Sequence, residues 1–235
     1  IIQYNVRLVK ENMKKIFGII LLGLLNLANA NNSIDINHYI NNNNCNQIIQ
    51  NAVFSACYNY SYKASTYVAY TVNGQKLSNA KIRIKKRPSF YPEKSIPVKY
   101  RSYPEDYTNS GYDRGHMANH ADFNYSANLV YMTYSMANIV PQNPEVNRQT
   151  WVKAEKYERN IAKKLGYVSV INIITYADKP TRIGKHQIAV PADFIKVVYN
   201  NDKDFKKCFS YSNSATDTKN DKLRDHEISC NMTLD

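Results

Sequence analysis

The sequence predicts an α+β fold, and three observations carry that expectation. Strand-like text comes in separate pieces: "STYVAYTVNG" (65–74), "YVSVINIITY" (167–176) and "FIKVVYN" (194–200). One long segment between them, "EVNRQTWVKAEKYERNIAKKLG" (145–166), has helical periodicity instead. No internal repeat or second domain interrupts the 235 residues, a length that suits one core.

Taken in order, residues 1–12 ("IIQYNVRLVKEN") lack an initiating Met and read as an upstream mis-start, with Met13 as the true beginning. Residues 13–30 read as a secretory signal peptide. Lys14 and Lys15 form its positive end, Ile16 to Leu27 its apolar run, and Ala28-Asn29-Ala30 its cleavage site. The run falls short of the roughly 20 residues a spanning helix needs, and no Cys follows closely enough for a lipid anchor. Cleavage after Ala30 leaves 31–235 as a single domain, secreted or periplasmic, with no stable membrane insertion. It opens on a polar stretch, 31–44 ("NNSIDINHYINNNN"), expected to be a loose arm.

The alternation of 65–74 predicts a strand, with Asn73-Gly74 offering a tight turn. Residues 87–112 are rich in Pro and Tyr without any period and predict a long surface loop, a kind more often functional than idle. "LVYMTYSMA" (129–137) reads as a strand. In the helical segment Val146, Thr150, Ala154, Tyr157, Ile161 and Leu165 recur at steps of three and four, a stripe facing the core, and Gly166 stops it. The apolar runs 167–176 and 194–200 predict buried strands.

The formal charge is +12, and removal of residues 1–30, with four Lys/Arg and one Glu, leaves +9. Such an excess suits a polyanionic partner, nucleic acid or a membrane surface, though abundant Asn, Lys, Ile and Tyr also mark an AT-rich composition. Cys45, Cys57, Cys208 and Cys230 form an even set in an exported chain and predict two disulfides, the local pairings Cys45–Cys57 and Cys208–Cys230 being favoured. None of their spacings matches a zinc knuckle.

Chemistry concentrates in "GYDRGHMANHADF" (111–123). If Tyr112 to His116 is extended, Arg114 and His116 share one face, Asp113 and Gly115 the other. On the helix, Asn147, Trp151 and Glu155 stand at i, i+4 and i+8. A cation and an imidazole thus face an amide and a carboxylate, the inventory of a metal-assisted phosphodiester hydrolase. A histidine takes a proton from water near neutral pH. Mg²⁺ keeps most of its waters, so one Asn carbonyl serves as ligand, while a nearby carboxylate orders a bound water. Guanidinium groups match charge spread over phosphate.

The motifs "YDRGHMA" and "NIVPQNPEVNRQTWVKAE", in that order, resemble the DNA/RNA non-specific endonuclease family. Similarity runs from about "YVAYTV" (67–72) to "AVPADFIKVVY" (189–199). The resemblance implies a mostly antiparallel sheet with a ββα-metal finger (His-Me finger), and cleavage of DNA and RNA substrates to 5′-phosphate ends. It implies Mg²⁺, with Mn²⁺ able to substitute. His116 aligns with the general base, Asn147 with the metal ligand, Glu155 with the acid that holds a metal-bound water, and Arg114 with the arginine of the DRGH core. The upstream arginine falls on Arg87, with Arg83 the competing choice. Two departures stand out: Asn119-His120 where the family commonly has Pro after "HMA", and Ala137 in place of Ser or Thr.

Blander readings stand beside these. Asp113 is expected to be structural and Trp151 to pack the helix on the sheet. His120 is a loop residue, near the phosphate path or idle, and the basic run from Lys81 to Arg87 is a solvated face or a phosphate track. Two other functions remain open on the sequence: an exported nucleic-acid-binding or uptake protein with little turnover, and a phosphodiesterase for small nucleotides.

Overall fold

A computed structural model describes residues 34–80, 86–214, 216 and 218–230, all of which except Ile34 belong to the unit Asp35–Asp235. The mis-start and signal-peptide expectations, and positions 81–85 of the basic run, lie outside the described residues. In chain order the strands are β1 (Gln47–Gln50), β2 (Phe54–Asn59), β3 (Ala64–Asn73), β4 (Asp113–His116), β5 (Ile139–Gln142), β6 (Tyr167–Thr175), β7 (Arg182–Ile183), β8 (Ile188–Ala189), β9 (Asp193–Asn200), β10 (Phe205–Ser212) and β11 (Glu227–Ile228). The α-helices are α1 (Ile36–Tyr39), α2 (Gly74–Asn79), α3 (Ala127–Thr133) and α4 (Val152–Leu165), the last entered through a π turn at Val146–Trp151.

Seven strands make one sheet in the order β1-β2-β3-β6-β9-β10-β11, with every neighbouring pair antiparallel. The fold is therefore α+β on an antiparallel sheet, as expected. β6 and β9 lie in the middle, which is why their text is nearly continuous in apolar residues. α4 packs on the sheet. Trp151, fully buried, is wedged between Phe194 and Tyr211 at ring distances of 5.6 and 5.3 Å, the packing role expected of it. β4 and β5 stand apart as a two-stranded antiparallel ribbon, His116 opposite Ile139 and Asp113 opposite Gln142. Both favoured disulfides are present.

Four expectations are corrected. The arm is not loose from Asp35 onward: Asp35 caps α1 by accepting from the Asn37 amide (2.9 Å), and Tyr39 and Ile40 are buried. Two buried apolar side chains in the Asn-rich text, Tyr39 and Ile40, suffice to dock it. Asn73-Gly74 makes no hairpin turn, because Asn73 instead caps α2, accepting from Lys76 (2.8 Å). Gly74 serves close approach: a Cβ there would lie 2.0 Å from the Ala162 carbonyl oxygen of α4.

Residues 129–137 do not form a strand. Ser126 caps α3 and the chain then tightens through Met136–Asn138, so the strand begins only at Ile139. Val130 and Thr133 are its buried, helically spaced pair, and a short apolar run alone does not separate helix from strand. Lastly, 87–112 is irregular but not wholly superficial, since Ile96, Ser102, Asp106 and Tyr107 are buried. Its Phe90 lies against the catalytic candidates described next.

Candidate functional site

β4 and β5, linked through α3, and then the π turn with α4 bring two strands and a helix together, and a cleft of about 480 Å³ opens where they meet. Arg87, Arg114, His116, Asn147 and Glu155 all line it, so the five residues singled out in the sequence come together. A larger hollow of about 890 Å³ beside β1 holds no comparable set, so chemistry rather than volume selects the site.

Strand alternation explains half of the arrangement. Arg114 and His116 do share the cleft face, while Gly115 backs onto Gln142, where a Cβ would lie 2.3 Å from the amide oxygen. Asp113, expected on the far side, also reaches the cleft. It sits at the end of the ribbon and accepts hydrogen bonds from Asn147 Nδ2 (2.8 Å) and from Arg148 Nε and Nη2 (2.8 and 2.6 Å). Burial alone would raise its pKa, but the bonds from Arg148 and Asn147 and the Arg148 charge hold it below the usual range. The NH₂ end of Asn147 is thereby committed, leaving its carbonyl oxygen as the end free to act as a ligand.

His116 is walled by aromatic rings, with Tyr134 edge-on at 4.8 Å and Phe90 at 5.3 Å. Its Nε2 is buried and has no protein partner. Burial, then the charges of His120 and Arg87, push its pKa down to about 3, so the ring is neutral at pH 7 and able to accept a proton. Arg114 donates from Nε and Nη2 to the Pro104 carbonyl (3.1 and 2.6 Å) and lies over Phe90 and Tyr107, which fixes its plane. Arg87 is exposed at the mouth.

Glu155 is only 5% exposed, and burial pushes its pKa up to about 7 against a hydrogen bond from Asn119 and the Lys196 charge. Below it Lys196, fully buried, donates to Glu158 (2.8 Å) and Tyr70 (2.9 Å). Arg159 pairs with buried Asp122 at 2.8 Å. Neither pair was visible in the sequence, although three acids and bases on one helix face (Glu155, Glu158, Arg159) are a signal worth reading.

The π turn accounts for how Asn147 and Glu155 come to line one cleft. In an α-helix eight residues leave two positions about 80° apart; a π turn takes up one extra residue, about 100°, and restores them to within about 20°. Their eight-residue spacing was the sequence signal for it.

The donors present suit a hard ion that keeps its own water: one amide oxygen, one carboxylate, and the unpartnered His116 Nε2 nearby to accept a proton. Among the described residues no cluster of three or more His, Cys, Asp or Glu offers the closed cage a structural zinc would need.

The class this defines is an antiparallel α+β domain with imidazole, amide, carboxylate and guanidinium groups around one cleft. More particularly, the chain belongs to the DNA/RNA non-specific endonuclease family, whose model matches residues 32–232. It is 33% identical over 151 residues to the mitochondrial nuclease EXOG of Danio rerio, covering 60% of this chain and 43% of that protein. It is 35% identical over 112 residues to a nuclease of Nostoc sp., covering 47% and 39%. A chain in a crystal structure of the EndoG/EndoGI complex matches with a TM-score of 0.69 at 21% identity, covering 79% of this chain and 81% of that one, which shows a shared fold. The chain spans about two fifths of the length of the curated relatives it matches.

Proposed function

We propose that this protein is a metal-dependent endonuclease that hydrolyses phosphodiester bonds of DNA and RNA without regard to the sugar, leaving 5′-phosphate ends. The observation that carries the reading is the neutral His116, its Nε2 unpartnered, in one cleft with Asn147, Glu155, Arg114 and Arg87. Membership in the family supports the same substrates and a metal requirement.

His116 takes the proton from an attacking water. Asn147 would hold the ion through its side-chain oxygen, and Glu155 would orient water beside it. Mg²⁺ is the ion proposed, with Mn²⁺ able to substitute; when bound it supplies positive charge to the phosphate and leaving oxygen. Arg114, its plane fixed by Pro104, and Arg87 at the mouth balance charge on the phosphate oxygens. Export to the periplasm or medium is part of the proposal, supported by the two disulfides and the signal-like residues 13–30.

Incubation with supercoiled plasmid, with Mg²⁺ and then with EDTA, tests the reading. Nicking and degradation that stop in EDTA are expected. A gel shift without cleavage would make the protein a nucleic-acid binder, and activity confined to small phosphodiesters would make it a different hydrolase.

A further inference from the structure

A π turn is an uncommon and poorly bonded way to wind a helix, and it persists where its surroundings over-determine it. Here the surroundings are the C-terminal segment Thr218–Cys230, which the disulfide Cys208–Cys230 ties back to β10. That strap grips the turn at three points. Thr218 Oγ1 donates to the Glu145 carbonyl just before it (2.9 Å). His226 Nε2 meets Thr150 Oγ1 within it at 2.8 Å. Lys153 Nζ, just after it, donates to the carbonyls of Thr218 (3.5 Å), Lys219 (3.4 Å) and Asp221.

His226 is itself fixed. Its ring stacks on Tyr211 at 4.3 Å, and Nδ1 lies 3.1 Å from the Ser210 carbonyl, which can only accept. Nδ1 therefore carries a hydrogen and donates to that carbonyl. Asp221 Oδ2 stands 3.1 Å from Nε2. Thr150 and Thr218 are both buried, so neither bond competes with bulk water.

We propose that the strap Thr218–Cys230 is a positioning element that keeps residues 146–151 in the π register, with Lys153 and Thr150 as its points of purchase, and so aims Asn147 at the metal. The inference rests on the reading that Asn147 holds the ion. Without the strap the turn relaxes to α-helical winding, and Asn147 turns to a position about 80° away from Glu155 around the helix. Lys153 and Thr150 touch neither substrate nor metal; they act through Asn147.

The test is Mn²⁺ binding, followed by EPR on the full disulfide-bonded chain without nucleic acid. Thr150→Val and Lys153→Met should each weaken Mn²⁺ binding on the order of tenfold. DNA binding in EDTA should be unchanged, and Lys153→Arg, which still donates to the carbonyls, should restore most of the affinity. Asn147→Ala is run beside them. If it weakens Mn²⁺ binding while Thr150→Val and Lys153→Met bind as the parent does, the strap has no positioning role. If Asn147→Ala itself binds Mn²⁺ normally, the ligand assignment fails and the strap proposal fails with it. Amide hydrogen exchange supplies a second readout that needs no point variant of the turn. In Cys208→Ser/Cys230→Ser protein, the amides of 146–151 should exchange at least tenfold faster while those of β6 and β9 do not change. Unaltered exchange at 146–151 would overturn the proposal.

Discussion

Replacing Glu155 by Gln should make the metal-free protein more stable at pH 8 while removing most of its nuclease activity. The carboxyl is nearly buried, and that burial raises its pKa from 4.5 to about 7. A folded-state pKa above the unfolded one means the fold binds this proton more tightly. The stabilisation is complete below about pH 4.5 and is lost as pH rises through 7. At about 1.36 kcal/mol per pKa unit, the ionised carboxylate costs the fold on the order of 3 kcal/mol at pH 8. Gln keeps the shape and the acceptor for Asn119 but brings an NH₂ group of its own, so about 1–3 kcal/mol should be recovered. For a chain of this length that is a rise in Tm of about 2–4 °C per kcal/mol. The assay is thermal melting of both proteins in EDTA at pH 8 and at pH 4, where the two should converge. An equal or lower Tm for Glu155→Gln at pH 8 would show that Asn119, Lys196 and Arg159 already offset the charge, and would refute the argument from burial.

His116→Ala should reduce cleavage by about 10²-fold or more while leaving DNA binding in EDTA intact, since the base acts only during attack; near-parental kcat would remove its role. The apparent affinity for Mg²⁺ should fall as pH drops through about 7, because the proton held by Glu155 in the metal-free protein competes with the cation, whereas burial keeps His116 neutral far below that pH. A pH-independent Mg²⁺ requirement between pH 6 and 8 would contradict this. Gly74→Ala should destabilise the fold by about 3 kcal/mol or more in urea titration, as the added methyl meets the Ala162 carbonyl at 2.0 Å. Cys45→Ala/Cys57→Ala should lower stability by about 2–4 kcal/mol in the same assay.

Long, regular features were legible in the sequence because their pattern and their burial agree. β6 and β9 are continuous apolar runs in mid-sheet, and the helix after Trp151 shows its period and its stop at Gly166. Four of the candidate residues, Arg114, His116, Asn147 and Glu155, were marked by two motifs whose separation in the chain is closed by the β4–β5 pairing, whereas Arg87 lies upstream of both motifs. What was hidden depends on contacts distant in sequence. Residues 129–137 fit a helix or a strand equally, and the Ser126 cap decides between them. The role of Gly74 depends on Ala162, and Lys196 looks like any lysine until Glu158 and Tyr70 surround it. The π turn also escaped, because a spacing of four from Asn147 to Trp151 is already acceptable to an α-helix.

In the mechanism proposed, a water deprotonated by His116, not a hydroxyl of the substrate, attacks phosphorus. The direct measurement is digestion of a DNA oligonucleotide beside its RNA counterpart, with Mg²⁺ and with the ends read by mass spectrometry. The contacts named here, Arg87, Arg114 and the ion, address phosphate alone and read no sugar. Both oligonucleotides should therefore be cut to 5′-phosphate and 3′-hydroxyl ends, and more slowly as salt rises. A 2′,3′-cyclic phosphate from the RNA, or an uncut DNA, would contradict the account and leave His116 without its role.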